Sequence, residues 1–441
     1  MKLANTHTLV LIISMLSYSV TRAQVSTWSL QKCIDTALVY NSQLEIQENL
    51  LSISREREKE AKSGFLPKVQ LGSDYKYYND LPYQLLPLST FNASAPEGQF
   101  KEAQFGVPHT INANLNFSLP VYNANLIGGI NNSKLAGEMS EIQLEKSREQ
   151  VIFDISNLYY NSQLIQHQIR FIDTNILSTK KLLITSELLH EQLMAKQTDV
   201  SKIALQLSQL ETQRQILRNK KVQIINHLKL TMGIALNTDI ETDLNIEIQV
   251  FKDSLPNNSK DIQIIEQQYK ILSNDLKTIK RNKYLPNINL YGTYGKSGFG
   301  YSSTNNSFLN FYPMGYTGLQ IVYPLFSGNI QQHKFKQKQL EIKNNQIQKS
   351  LLQSQLDIQK INILGQIETT KELVINSENQ LKLAKEIYIQ SELQLQLGTA
   401  NISEVMLAGI TVREAQQNYL NALVEVLKSQ LELKKITGNL Y

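Results

Sequence analysis

The sequence predicts a mixed α+β membrane protein. Three observations predict this class: long stretches without helix breakers, strand-length segments that alternate with period two, and an internal duplication. The 441 residues include only 19 glycines and 10 prolines, so the unbroken stretches indicate long helices rather than alternating strands and helices. Two copies of one helical and stranded unit therefore explain the length better than about three compact domains.

The first segment, residues 1–23, has the features of a secretory signal peptide. Lys2 precedes an apolar run from Leu9 to Leu16, and Thr-Arg-Ala stands immediately before Gln24. The apolar run is shorter than the about 20 residues that a membrane-spanning helix needs. Since no apolar run of about 18 residues follows, we expect a mature chain that is either exported and soluble or inserted as a β-barrel.

The order of elements occurs twice along the chain. AKSGFLPKVQLGSDY (61–75) resembles IKRNKYLPNINLYGTY (279–294), FSLPVYNANL (117–126) resembles IVYPLFSGNI (321–330), and TDVS (198–201) aligns with ANIS (400–403). We predict a first repeat over 24–233, with a helix, two strands joined by a long extracellular loop (78–110), a long helix and a short helix. A linker over 234–259 separates it from a second repeat over 260–441.

Each repeat contains two segments of about ten residues in which apolar and polar residues alternate. Membrane-spanning strands of a β-barrel need about 9 to 11 residues, with an apolar outer face and a polar inner face. An ordinary sheet with one solvated face is the alternative. Tyrosines near the strand ends, such as Tyr75, Tyr291, Tyr294, Tyr312 and Tyr316, favour the barrel as an aromatic girdle. The predicted lumen-facing residues are Gln70, Asp74, Lys76, Asn112, Asn114, Asn116, Asn287, Asn289 and Gln320.

Four strands cannot close a barrel with a lumen, because the smallest single-chain barrels use about eight. The chain is therefore expected to share its barrel with copies of itself. Strand counting alone leaves a dimer and a trimer open.

The helical segments are long enough to form extended coiled coils. No proline occurs between Leu126 and Lys196, a stretch of about 70 residues or about 105 Å, and Asn329 to Leu397 repeats it. Two shorter helices, Ser29–Ser63 and Val200–Met232, together match that length and are expected to stack end to end beside it. A heptad seam runs through the first long helix, at Val151, Ile155, Leu158, Ser162, Ile165, Ile169, Ile172 and Ile176.

Composition argues against catalysis and against nucleic-acid binding. The single cysteine, Cys33, and six scattered histidines supply no metal-binding or catalytic spacing, so we expect no enzyme, no cofactor and no metal site. Cys33 is expected to be a small buried apolar residue. The net charge of +5 comes from 44 basic and 39 acidic residues spread along the chain, without a basic patch.

Four motifs in this order resemble the TolC-like outer membrane efflux protein family, whose members are the outer membrane factors. They are WSLQKCIDTALVYNSQL (28–44), the Leu-Pro turns at 66–67 and 285–286, YPLFSGN (323–329) and LGTANISEVMLAG (397–409). The resemblance implies a trimer. Each chain would give four strands to a shared twelve-stranded transmembrane β-barrel and long coiled-coil helices to a periplasmic α-barrel.

The resemblance also implies a function and a location. The chain would be the outer-membrane channel-tunnel of a tripartite efflux or type I secretion system in a Gram-negative cell, with its helical part in the periplasm. It would conduct substrates passively. Its partners would be outer-membrane lipid, an inner-membrane transporter and a periplasmic adaptor (membrane fusion protein). The alternative is a periplasmic adaptor or an exported coiled-coil scaffold. An adaptor would be expected to carry a small soluble β-domain between two helices. The pattern of this sequence instead predicts paired strands flanked by helices, twice.

By the same resemblance, the turns joining long to short helices form the periplasmic tip where the adaptor docks. The implied tip residues are Thr198, Asp199, Val200, Ser201, Gly398, Thr399, Asn401, Ile402 and Ser403. We expect Gly398 to have a left-handed or close-packed backbone, Asn401 or Ser403 to cap one returning helix, and Asp199 or Ser201 to cap the other.

The same resemblance implies a gate near these turns. Glu404 would form a carboxylate ring in the trimer, and Lys202, its counterpart in the predicted alignment, would pair with it across the tip. Leu407 and Ala400 stand where some relatives carry an acidic and a basic residue.

Overall fold

The computed structural model describes residues 27–91, 94, 96, 98–104, 106–246, 258–300 and 310–440. The predicted signal peptide and part of the predicted linker therefore lie outside the described residues. Within the described ranges, no helix is both long and apolar enough to cross a membrane.

The chain folds into long helices and two groups of strands. The elements of the first half are β1 (Thr27–Trp28), α1 (Leu30–Tyr40), α2 (Ser42–Ser63), β2 (Lys68–Tyr77), β3 (Tyr83–Pro87), β4 (Phe100–Gln104), β5 (His109–Tyr122), α3 (Ala124–Glu191) and α4 (Gln197–Met232). Those of the second half are β6 (Glu241–Thr242), α5 (Lys260–Tyr284), β7 (Asn287–Gly300), β8 (Asn310–Val322), α6 (Ile330–Gln396) and α7 (Ile402–Thr437). The long helices α3 and α6 have 68 and 67 residues, and α4 and α7 have 36 each.

The helix predicted over Ser29–Ser63 is wrong in one respect, because it is interrupted at Asn41. Asn41 has an extended backbone, and its Oδ1 accepts a hydrogen bond from the Leu44 amide at 3.0 Å. Its Nδ2 donates to the Thr231 carbonyl at 2.6 Å. One side chain thus caps α2 and joins it to the end of α4. The predicted end-to-end stacking is wrong for α1, because Cys33 and Ala37 pack beside Ile225 and Leu228 of α4.

Both 36-residue helices end on a glycine that no other residue can replace without strain. Gly233 and Gly438 have φ of +71° and +67°, in the left-handed region. A Cβ on Gly233 would overlap the Tyr40 carbonyl oxygen, and one on Gly438 would overlap that of Asn258. The Asn258 amide also donates to the Thr437 carbonyl at 2.8 Å. α4 therefore ends against the backbone that leads into α2, and α7 ends against the backbone that leads into α5.

One compact unit contains the described residues of 1–49, 142–263 and 350–441, and is mainly helical. A core of α1, α3 and α4 side chains includes the fully buried Cys33, Ile155, Leu228 and Met232. Within the predicted heptad seam, Val151, Ile155, Ser162, Ile165, Ile172 and Ile176 are buried, which confirms the seam. The short strand β1 pairs in parallel with β6.

The second unit contains the described residues of 50–141 and 264–349, including a four-stranded sheet of order β2-β5-β7-β8. Every neighbouring pair in it is antiparallel, so the edge strands β2 and β8 run in opposite directions. A separate hairpin, β3 with β4, lies inside the predicted loop 78–110.

The alternation of apolar with polar residues at Leu319, Ile321, Tyr323 and Leu325 predicts a fourth strand that continues to Leu325, but the strand ends earlier. β8 stops at Val322, so Tyr323 and Leu325 lie beyond it. By contrast, Pro120 lies inside β5, next to a register shift and beyond the last β2 pair at Ser118, where the missing N–H of proline is tolerated. The two prolines aligned by sequence, Pro120 and Pro324, therefore occupy different positions.

Candidate functional site

The turn between α6 and α7 is closed by its own backbone. Gly398 has φ of +73°, as predicted, and no described atom lies within 4 Å of the place where its Cβ would be. The amides of Thr399 and Ala400 both donate to the Gln394 carbonyl, at 2.9 and 3.2 Å. The left-handed glycine thus reverses the chain at the end of α6.

Asn401 begins α7 with a reciprocal cap. Its Oδ1 accepts from the Glu404 amide at 3.0 Å, and its Nδ2 donates to Glu404 Oε1 at 2.8 Å. This arrangement resembles a capping box and confirms Asn401, rather than Ser403, as the N-cap.

The turn between α3 and α4 has the same backbone hydrogen bonds with different residues. The amides of Met194 and Ala195 donate to the Leu189 carbonyl at 2.8 and 3.2 Å, and Leu193 has φ of +60°. The equivalent pairs are therefore Leu193 with Gly398, Lys196 with Asn401, and Asp199 with Glu404. The predicted alignment of TDVS with ANIS is wrong by three residues, because it matched side-chain types rather than backbone positions.

Neither predicted cap of α4 is formed. The helix begins at Gln197, and its N-cap residue Lys196 makes no side-chain capping bond. Asp199 lies in the first turn, and the Ser201 hydroxyl donates to the Gln197 carbonyl at 3.0 Å. The first repeat therefore starts its short helix without the side-chain cap that the second repeat has.

The two gate candidates have different partners within the chain. Lys202 Nζ lies 3.4 Å from Asp199 Oδ1, whereas the Glu404 carboxylate is held by Asn401. Between these described residues, the predicted Lys202–Glu404 pair is not formed.

The surface of the turns differs from the predicted tip in two ways. Val200 and Ile402 are buried, and Ile402 packs with Ile203, Leu395 and Val405 in one apolar cluster. Leu193, which the sequence analysis did not select, is 92% exposed. The exposed predicted residues are Thr198, Ser201, Gly398, Thr399, Asn401, Ser403, Lys202 and Glu404.

The predicted lumen-facing residues share one face of the four-stranded sheet, which we call the polar face. Residues directly opposite in an antiparallel pair lie on the same face. Such pairs include Gln70 with Asn116, Asp74 with Asn112, and Asn289 with Gln320. The remaining members, at alternate positions of the same strands, are Lys76, Asn114 and Asn287.

Hydrogen bonds run across strands on the polar face. Asn112 Nδ2 donates to Asp74 Oδ2 at 3.2 Å, and the Ser297 hydroxyl donates to Asn112 Oδ1 at 2.7 Å. The Thr293 hydroxyl donates to Asn116 Oδ1 at 2.9 Å. These bonds fix the amides in position across β2, β5 and β7.

The expected aromatic girdle is wrong for three tyrosines. Tyr291 is opposite Ser118, Tyr316 opposite Thr293, and Tyr312 opposite Ser297, so all three lie on the polar face. Tyr75 and Tyr294 lie on the other face, opposite Ile111 and Leu115. Counting alternate positions along β2, β7 and β8 would have separated the two groups.

The described residues offer no metal centre, since they contain no suitable group of three or more His, Cys, Asp or Glu side chains. Cys33 is fully buried, and burial raises the pKa of its thiol to about 12. Its thiol therefore stays protonated in the core, as expected for a small buried apolar residue.

Comparison with known proteins gives one family match. Residues 254–439 match the family model described as outer membrane efflux protein. No curated protein sequence matches the chain significantly.

Solved structures match over nearly the whole chain. The outer membrane protein VceC of Vibrio cholerae is 14% identical over 93% of this chain and 96% of its own, with a TM-score of 0.75. The Neisseria gonorrhoeae MtrE outer membrane channel is 14% identical over 93% and 89%, with a TM-score of 0.74. The Campylobacter jejuni CmeC outer membrane channel is 15% identical over 93% and 86%, with a TM-score of 0.70. At these identities the likeness is one of fold.

Proposed function

We propose that the chain belongs to the outer membrane efflux protein family, whose model matches residues 254–439, and that it is the outer-membrane channel-tunnel of a tripartite efflux or type I secretion system. The protein resides in the Gram-negative outer membrane, with its helical part in the periplasm. It conducts substrates passively, and an inner-membrane transporter supplies the energy.

The single observation that carries this proposal is the four-stranded sheet with one polar and one apolar face. Its edge strands, β2 and β8, each leave a row of backbone groups unpaired, and they run in opposite directions. Copies of the sheet can therefore join β8 to the next β2 and keep every pair antiparallel. Closing the ring removes both edges, which a strand in lipid requires.

Three copies are the stoichiometry that we propose. Two copies would give a ring of about eight strands, the size at which side chains nearly fill the interior, and three give a wider lumen. The family resemblance favours three. The amide-rich polar face then lines the lumen, and residues such as Leu71, Leu115 and Leu319 on the opposite face contact lipid.

The turns after α3 and α6 form the proposed docking site for a periplasmic adaptor. Both turns are exposed, and backbone hydrogen bonds fix the conformation of each before a partner binds. The structural equivalence of Asp199 with Glu404 places one carboxylate in the first helical turn after each reversal. In a trimer these carboxylates form rings at the tip, and such rings favour cations.

The proposal predicts a heat-modifiable oligomer in the outer-membrane fraction. The full 441-residue chain is expressed, membranes are separated by density, and samples are run on gels with and without heating. Purified protein is then added to planar lipid bilayers. We expect a trimer that forms ion-conducting channels. A periplasmic monomer without conductance would contradict the proposal.

A further inference from the structure

A cavity of about 210 Å³ lies within the helical unit and is lined by four helices. Thr174 to Leu182 of α3, Gln206 of α4, Lys385 to Ile389 of α6 and Val405 to Gln416 of α7 contribute to its wall. Its apolar side includes Leu182, Ile389, Val405, Met406 and Val412. The cavity therefore joins helices of both repeats around an apolar space.

Arg413 is the principal polar group of this cavity. The carbonyl oxygen of Gln206, with its amide assigned to suit the hydrogen bonds, accepts from both Arg413 Nη atoms at 2.5 and 2.6 Å. That partner is neutral, and burial lowers the pKa of the guanidinium. No carboxylate of the described residues forms an ion pair with Arg413. Glu414, the neighbouring residue, attracts the guanidinium, but it does not line this cavity. Inside the cavity the cation has only a neutral partner, so it gains from a bound anion.

The other residues that line the cavity also favour a bound anion. Lys385 also lines the cavity, and it too forms no ion pair with a described carboxylate. Tyr388 makes a hydrogen bond with Ser178, and other hydroxyls come from Thr174 and Thr179. No Asp or Glu is among the described residues that line the space.

A second cavity of about 430 Å³ shares Asn175, Arg413 and Gln416 with the first. It is lined by Glu414 and Lys220 as well, so one carboxylate offsets part of its positive charge. The smaller cavity, with Arg413 and Lys385 and no carboxylate in its lining, thus has the larger excess of positive charge.

We propose that the smaller cavity binds a compact organic carboxylate, with its charged group on Arg413 and Lys385 and its apolar body against Leu182, Val405 and Val412. At about 210 Å³ the cavity is smaller than the about 300–1,000 Å³ of usual ligand pockets, so it suits only a small molecule, of about the size of benzoate. The site is independent of the proposed conduit and binds its ligand whether or not the protein conducts.

Isothermal titration of the purified full mature protein with benzoate tests the proposal. Benzamide is the matched neutral probe, since it has nearly the same shape without the charge. We expect saturable binding of benzoate at one molecule per chain, and benzamide at least about tenfold weaker.

Three variants separate a specific site from general attraction to a basic protein. Arg413→Gln is expected to weaken benzoate binding about tenfold or more, and Lys385→Gln, at an exposed position, by a smaller factor. Arg214→Gln is the matched control, because Arg214 pairs with Asp173 and does not line the cavity. Helix content and oligomer size are recorded for each variant, and Lys385→Gln serves as the test should Arg413→Gln fail to fold.

Equal binding of benzoate and benzamide would overturn the proposal. So would the absence of benzoate binding to the wild-type protein, or unchanged binding in folded Arg413→Gln. Conductance measured on the same preparation keeps this outcome distinct from failure of the proposed channel function.

Discussion

The two helix-reversing turns have one backbone geometry and two different sets of residues. In the second turn, glycine occupies the left-handed position and asparagine caps the returning helix, at Gly398 and Asn401. In the first, the same positions are Leu193 and Lys196. Local residue preference therefore does not determine the conformation of the turns. The packing beneath them determines it, since Ile203, Leu395 and Ile402 are buried together there.

The difference has an energetic consequence. A left-handed residue with a side chain costs about 1–2 kcal/mol relative to glycine, and a missing N-cap costs about 1 kcal/mol. The first turn is thus locally less stable than the second by about 2–3 kcal/mol. We therefore expect the first turn to open more often than the second, and the following substitutions test this difference in stability.

The largest effect is expected where a left-handed glycine is also crowded. Gly233→Ala combines an unfavourable φ with overlap of the Tyr40 carbonyl, so we expect a loss of more than about 3 kcal/mol in unfolding free energy. Gly398→Ala has the same unfavourable φ in open space and should cost only about 1 kcal/mol. Chemical denaturation followed by circular dichroism measures both. Equal losses would mean that close approach at Gly233 is not important.

The second prediction exchanges the left-handed residues. Gly398→Leu should destabilise the second turn by about 1–2 kcal/mol, and Leu193→Gly should stabilise the first by slightly less, since glycine also gains freedom in the unfolded chain. Hydrogen exchange of the turn amides, Thr399 and Met194, reports the local opening. Slower exchange in Gly398→Leu would contradict the account.

The third prediction concerns the caps. Asn401→Ala should cost about 1 kcal/mol, whereas Lys196→Ala should change stability by less than about 0.5 kcal/mol. Lys196→Asn should stabilise the first turn by about 1 kcal/mol. Hydrogen exchange at Asp199 and Glu404 distinguishes the two helix starts. A similar cost for both alanine variants would remove the asymmetry.

The smallest effect is expected for the exposed ion pair of the first turn. Lys202→Ala removes its 3.4 Å contact with Asp199 and should cost less than about 0.5 kcal/mol. Repeating the measurement in about 1 M salt should reduce even this difference. An effect that persists unchanged in high salt would indicate that Lys202 acts through packing instead.

The same contrast explains what the sequence could predict. Period-two alternation placed all nine lumen candidates on one sheet face, because the pleat alone decides the face. Gly398 was predicted because few residues adopt its φ. Leu193 was missed, since leucine gives no local signal for a left-handed turn.

Other misses depend on contacts between distant segments. Asn41 interrupts a helical pattern because its amide meets the end of α4, about 190 residues away. The cavity around Arg413 is formed by four helices, so its lining without a carboxylate could not be read from the sequence. Such features arise from packing, which periodicity does not encode.

The central claim is that the polar face lines a conducting lumen. Asn116 and Leu115 are neighbours in β5, are both exposed, and lie on opposite faces of the sheet. The native Cys33 is buried, so introduced cysteines can be modified selectively. We expect a charged thiol reagent to reduce single-channel conductance of Asn116→Cys and to leave Leu115→Cys unchanged. Block of Leu115→Cys alone, or of neither variant despite labelling, would contradict the account.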